Sequence, residues 1–288
     1  MNDANTEWNE NYRNQENKPR FKSSAQHFEE KENAENMVKR LIEHPSPHIQ
    51  DQLQSLAFPR GSTVLDIGAG PGTLAVPLTK EGHIVTVVEP SKAMKDVMEQ
   101  YKQYCGVKAD IPRIEKLWED VDPAEIGTYD YVISSFALGV PDLKKALMKM
   151  NAVAKKEVHI FWFLNPQSWS QIKKDLYTLL YQEDYPDWMS YANVVWQALY
   201  QENIYANITV HARTDKDRYK NIDEVVSMYV RQFSVTDDKQ KSIIENYLTE
   251  HLILQNDGCY TLPNYGKYAH IWWEKEQNCH QDDEQTHL

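Results

Sequence analysis

Two acids and a run of alternate glycines carry the chemistry this sequence offers. Asp66 stands two residues before Gly68, and Gly68, Gly70 and Gly72 alternate with Ala69 and Pro71 in the stretch Val-Leu-Asp-Ile-Gly-Ala-Gly-Pro-Gly, residues 64–72. Val64, Leu65 and Ile67 read as a buried parallel strand that runs into a turn and then a helix. Glycines at these positions leave no side chains on the side from which a ligand's polar part approaches, and the helix-start amides from Thr73 onward tolerate an anion. The dinucleotide spacing G-x-G-x-x-G would need a sixth-position glycine where Thr73 stands. A carboxylate at the end of the strand, from Asp66, suits an ammonium better than a pyrophosphate.

The elements that position this turn follow from the rest of the chain. Residues 1 to 20 are polar, with Trp8 and Tyr12 as the large apolar groups, so this arm is either disordered or docked through them. Helices are expected from about Ser24 to Glu43, ended by His44-Pro45-Ser46-Pro47, and from about His48 to Ala57. A second strand, Ile84 to Val88, ends in the acid Glu89, and Ser91 caps a helix to about Tyr104. Further strands are expected at Arg113 to Leu117, Tyr129 to Ser135 and Val158 to Leu164, with a helix from Pro141-Asp142 between the last two. Five strands joined by short connections and helices imply a doubly wound parallel sheet with its ligand outside the carboxyl ends. After Leu164 come helical stretches to about Tyr181 and from about Asp187 to Gln201, rich in Trp and Tyr, then a strand from Ile204 to Ala212. Two more helices, capped by Asn221 and Thr236, and a last strand, Tyr268 to Trp273, follow.

The residues of 64–72, with Glu89 and the Tyr129-Asp130-Tyr131-Val132 pattern of the fourth strand, resemble the class I S-adenosylmethionine-dependent methyltransferase family, small-molecule type with a methyltransferase domain. The resemblance is specific over about 60 to 164 and architectural beyond. It implies an α/β fold: a mostly parallel, seven-stranded Rossmann-like sheet, with N-terminal helices and a helical cap inserted after the fifth strand. The divisions expected are 1–57 for the arm and lid helices, 58–164 for the cofactor-binding core and 165–203 for the cap. Residues 204–276 would complete the sheet, and 277–288 form a flexible tail. The resemblance also implies S-adenosyl-L-methionine as cofactor, with S-adenosyl-L-homocysteine as product. Gly68, Ala69, Gly70 and Gly72 would border its methionine part, Asp66 would take the ammonium and Glu89 the ribose, beside Pro90, Met94 and Ser135. Trp118 and Glu119 would meet adenine. Tyr12, Trp162, Asn165 and Trp169 are candidate lining for the acceptor pocket. Where many family members carry a histidine after the fourth strand, this chain has Ala137-Leu138-Gly139, so no general base is assigned.

Totals narrow the acceptor. With 31 Lys+Arg against 43 Asp+Glu, the formal charge of −12 repels nucleic-acid backbones and anionic lipid. The three cysteines are too few and scattered for a disulfide framework or a Cys-x-x-Cys metal site, no H-E-x-x-H occurs, and no apolar stretch reaches membrane-span length. A small-molecule acceptor, no metal and a cytoplasmic setting are therefore expected, with the choice between monomer and homodimer left open. The rivals are a protein or RNA methyltransferase and a non-catalytic, regulatory S-adenosylmethionine-binding protein; a nicotinamide-dependent oxidoreductase is disfavoured by the glycine spacing.

Overall fold

The structure is a computed structural model that describes residues 3–17, 37–38, 41–43, 46–185, 189–213 and 218–275. The expected helix from Ser24 to Glu43 lies outside these residues except at 37–38 and 41–43, which are helical. Trp188 and the tail 277–288 also lie outside them.

Parallel strands β1 (Thr63–Ile67), β2 (Ile84–Val88), β3 (Arg113–Ile114), β4 (Tyr129–Ser135) and β5 (Ala154–Phe163) alternate with helices α3 (Ala75–Lys80), α4 (Lys92–Cys105), α5 (Pro123–Ile126) and α6 (Leu143–Val153). Two strands from the C-terminal part complete the sheet: β10 (Lys267–Glu274) pairs antiparallel with β5 and with β6 (Asn207–Ala212). The order is β3-β2-β1-β4-β5-β10-β6, seven strands with the switch point between β1 and β4. β3 is shorter than expected, because the chain leaves the sheet after Ile114 and drives Trp118 into the core through a short 3-10 turn, Trp118–Asp120.

The sheet's two faces have different cover. On one, Leu65, Val132, Ile160 and Ile271 pack with α6, with α8 (Ala192–Gln201) and with α1 (Ala4–Glu16). The arm therefore takes the docked alternative: Trp8 is 4% exposed and donates from Nε1 to Val140 O at 3.0 Å. On the other face, Val64, Val87, Ile133 and Phe161 pack with α3, α4 and α2 (Pro47–Ser55).

The stretch 165–203 does not act as one cap. α7 (Ser168–Tyr181) buries Ile172, Leu176 and Leu180 against α9 (Ile222–Gln232) and α10 (Asp238–His251), whose Val225, Tyr229, Ile244 and Leu248 form a separate apolar cluster. A small antiparallel sheet of β7 (Arg218–Tyr219), β9 (Tyr260–Thr261) and β8 (Ile253–Leu254) adjoins it. α8 instead presents Val195 and Leu199 to the main sheet, beside the Trp162 indole that donates to Ser190 O at 2.8 Å. Of the part expected to complete the sheet, only β6 and β10 join it. Helical period marks an apolar face without naming the surface that receives it, which is why this partition differs from the expected one. Among the described residues no helix is long and apolar enough to cross a membrane.

Candidate functional site

The site lies at the carboxyl ends of β1, β2 and β4, at the switch point. The turn after β1 needs its glycines for two distinct reasons. At Gly68, φ is +68° and a Cβ would collide with the Ala137 Cβ at 2.3 Å, so the β1 and β4 loops touch backbone to side chain there. At Gly70, φ is +53° and a Cβ would meet nothing within 4 Å, because this residue borders the open crevice.

The two acids stand on either side of that turn. Asp66 is 2% exposed and accepts from the Ala75 N–H at the start of α3. Burial, reinforced by the nearby Glu89, pushes its carboxyl up to about 7. Glu89, at the end of β2, accepts from Gly70 N–H at 2.8 Å and Ser91 N–H at 2.9 Å, one bond to each oxygen. A carboxylate accepts about four hydrogen bonds, so Glu89 retains capacity for further donors. Arg113 fixes the loop behind it, donating from Nε to Glu89 O and from Nη2 to Ser91 O, both at 2.7 Å. Ser91 caps α4 by accepting from Met94 N–H, and Met94 is buried in a small cluster with Val97. Pro90 is exposed between these two elements, and Ala69 is buried in the turn.

Other candidates stand further off. Trp118 is 4% exposed, donates to Ala146 O at 3.2 Å and carries the Lys149 ammonium 4.9 Å from its ring centroid. Its indole thus packs into the core between β4 and α6. Glu119 borders a small cavity with Val140, Pro141 and Asp142. Tyr12 is half-buried on α1, and burial together with Glu16 and Glu119 raises its phenol above the usual range. Trp162 points into the apolar face, with its ring 5.7 Å from Trp8. Asn165 braces the top of β5 by accepting from Lys267 N–H at 2.7 Å, and Trp169 meets Phe163 edge-on at 6.0 Å. The structure therefore gathers Asp66, the glycines, Glu89 and Ser135, whereas Trp118, Tyr12 and Trp162 pack in the apolar cluster on the face under α1, α6 and α8.

Sequence reasoning missed the residues that wall the crevice beyond β4. Phe136 follows Ser135 with φ +54°, an uncommon conformation for an aromatic residue, and sits next to the Ala137 that abuts Gly68. Its ring meets Phe163 at 4.6 Å, Tyr268 at 5.7 Å and His48 at 5.8 Å, and the Arg213 guanidinium lies 5.8 Å from its centroid. Gln52, one turn after His48 on α2, accepts from Ser135 Oγ at 3.1 Å. His48 and Gln52 at i and i+4 form a polar stripe on an otherwise short amphipathic helix, which was the available signal.

A sheet of this order, with its one antiparallel strand next to the edge and a glycine turn facing two acids at the switch point, defines the class I methyltransferase fold. Residues 64–157, about a third of the chain, match the model of the methyltransferase domain family. An uncharacterized protein of Haemophilus influenzae is 36% identical over 124 residues, which is 43% of this chain and 46% of that protein. Ubiquinone biosynthesis O-methyltransferase of Vibrio campbellii is 33% identical over 103 residues, 35% of this chain and 43% of that enzyme. The chain spans less than half the length of these curated relatives. A crystal structure of a candidate methyltransferase from Bacillus halodurans, 12% identical, covers 80% of this chain and 99% of its own with a TM-score of 0.53, a likeness of fold alone.

Proposed function

We propose that this chain is an S-adenosylmethionine-dependent methyltransferase acting on a small-molecule acceptor. The observation that carries the reading is the pair Asp66 and Glu89 on adjacent parallel strands, flanking a turn whose Gly70 faces open space. The donor set fits the cofactor. The Asp66 carboxylate receives an ammonium, Glu89 receives the ribose hydroxyls with its remaining lone pairs, and the glycines let the methionine part lie against the backbone. Pro90, Met94 and Ser135 adjoin these groups, and Glu119 is assigned to the adenine end. When bound, the cofactor supplies an electrophilic methyl group for in-line displacement, so the protein's own contribution is position and exclusion of water.

Phe136, Phe163 and Trp169 supply the apolar side of an acceptor pocket, beyond which Asn165 braces the chain. An acidic chain, an aromatic wall and the name of the Vibrio campbellii relative all support a small-molecule acceptor over a nucleic acid. Cys105 and Cys259 are free thiols, which suits a reducing cytosol.

Calorimetric titration with S-adenosylmethionine and S-adenosylhomocysteine tests the reading. Micromolar-range binding that weakens by about 1.5 kcal/mol in Glu89→Ala, the scale of lost charge-assisted hydrogen bonds, is expected. Folded protein that binds NADH and neither of these ligands would overturn it. Binding without turnover of any acceptor would mark a regulatory module.

A further inference from the structure

Gln52 is a deeply buried amide beside the crevice that the proposed site leaves unused. It is 1% exposed, its Oε1 is occupied by the Ser135 hydroxyl, and its Nε2 meets no protein acceptor among the described residues. A buried amide donor without a partner is costly and is retained where something else accepts from it.

Its location says what that is. The register pairs Asp66 with Ile133 and Ile67 with Ser134, so Ser135 is level with Gly68 at the mouth of the sheet. Side chains alternate along each strand, which puts Asp66, Ile133 and Ser135 on one face, the face that α2 covers. The Gln52 amide, bonded to Ser135, thus sits two residues further toward the crevice than the Asp66 carboxylate. An α-amino acid carries an ammonium and a carboxylate on the same carbon, so a site that receives one with Asp66 needs a donor for the other close by. A lysine or arginine there would pair with Asp66 and compete with the ammonium. A neutral amide donates without that competition.

We infer that Gln52 Nε2 donates to the carboxylate of the cofactor's amino-acid end, an assignment that rests on the cofactor reading above. Gln52 is then a binding residue supplied by α2, and the helix registers whether the amino-acid end is present.

The test compares two ligands that share the thioether and adenosine parts. S-adenosylhomocysteine has the amino-acid end; 5′-methylthioadenosine lacks it. Calorimetry on wild type and Gln52→Leu, with thermal melts to establish folding, should show about tenfold weaker binding of S-adenosylhomocysteine in the variant, the size of one charge-assisted hydrogen bond. Binding of 5′-methylthioadenosine should be unchanged. Gln52→Glu, which sets an acceptor against the carboxylate, should lose at least as much. Equal losses for both ligands, or no loss for either, would overturn the assignment, as would a loss confined to Arg213→Ala. Failure of wild type to bind S-adenosylhomocysteine at all would instead overturn the cofactor reading beneath it.

Discussion

The two faces of the central sheet are built on opposite terms. The face under α6, α8 and α1 is mostly aliphatic and aromatic, with Leu65, Val132, Leu147 and Ile160 at 0% exposure and Ser134 as its buried polar exception on β4. The face under α2 carries Asp66 at 2%, His159 and His270 at 4% each and Gln52 at 1%, interleaved with Ile133 and Phe161. Buried polar groups must be partnered or they cost stability. The partners here are specific: His159 Nε2 donates to Glu157 Oε2 at 2.9 Å, and its Nδ1 shares a hydrogen bond with His270 Nε2 at 2.9 Å. The first face contributes cohesion, and the second holds charge and direction near the crevice at some expense in cohesion.

Truncation separates them most sharply. Leu147→Ala removes a fully buried side chain from the apolar face and should destabilise by about 2–5 kcal/mol in urea unfolding. Affinity for S-adenosylhomocysteine in the still-folded protein should stay unchanged. A binding loss as large as the stability loss would erase the distinction between the faces.

Asp66 supplies the next effect. Its carboxyl is raised to about 7 in the fold, so the folded state holds the proton more tightly than the unfolded chain. The associated stability is full at acid pH and is lost as pH rises toward 7. Asp66→Asn, which still accepts from Ala75 N–H, should be more stable than wild type at about pH 8, on the order of 3 kcal/mol, and equal to it near about pH 4. The same substitution should weaken S-adenosylhomocysteine binding, so stability and binding move in opposite directions.

His270 gives the smallest effect and the reverse slope. Burial, with His159 and His211 nearby, lowers its imidazole to about 3. The unfolded chain then binds the proton more readily, and stability falls as pH drops from about 6.5 toward 3. His270→Phe, placed against Phe161 at 4.4 Å, should remove this acid loss, about 2 kcal/mol at about pH 4.5. Because the Asp66 and His270 slopes oppose each other across the same acid range, wild-type stability there should be flatter than that of either variant in melts taken across pH.

What was legible in the sequence divides along a similar line. The glycine turn, Asp66, Glu89 and the succession of five strands through β5 could be read because each depends on consecutive residues or on a short-range period. His159 and His270, or Gln52 and Ser135, meet across elements far apart in the chain, and no local spacing announces them. Trp118 is instructive in a different way: its position in the motif pointed to adenine, but nothing in the local sequence told that its indole would bond Ala146 under α6 with Lys149 over its ring. α7 and α8 were both identifiable as amphipathic, but whether such a face meets the sheet or α9 and α10 depends on tertiary fit.

The close approach of Gly68 to Ala137 has a consequence for how such a chain can change over time. Its two loops share one van der Waals gap, so any side chain at 68 is admissible only if the Ala137 loop retreats, and that retreat would displace the end of β4 beside Asp66. The turn after β1 therefore cannot acquire a side chain at 68 by a single substitution. The variable chemistry of this crevice is left to Phe136 on one side of that gap and to α2 across from it, which is where sequence drift can alter the acceptor while the turn stays as it is.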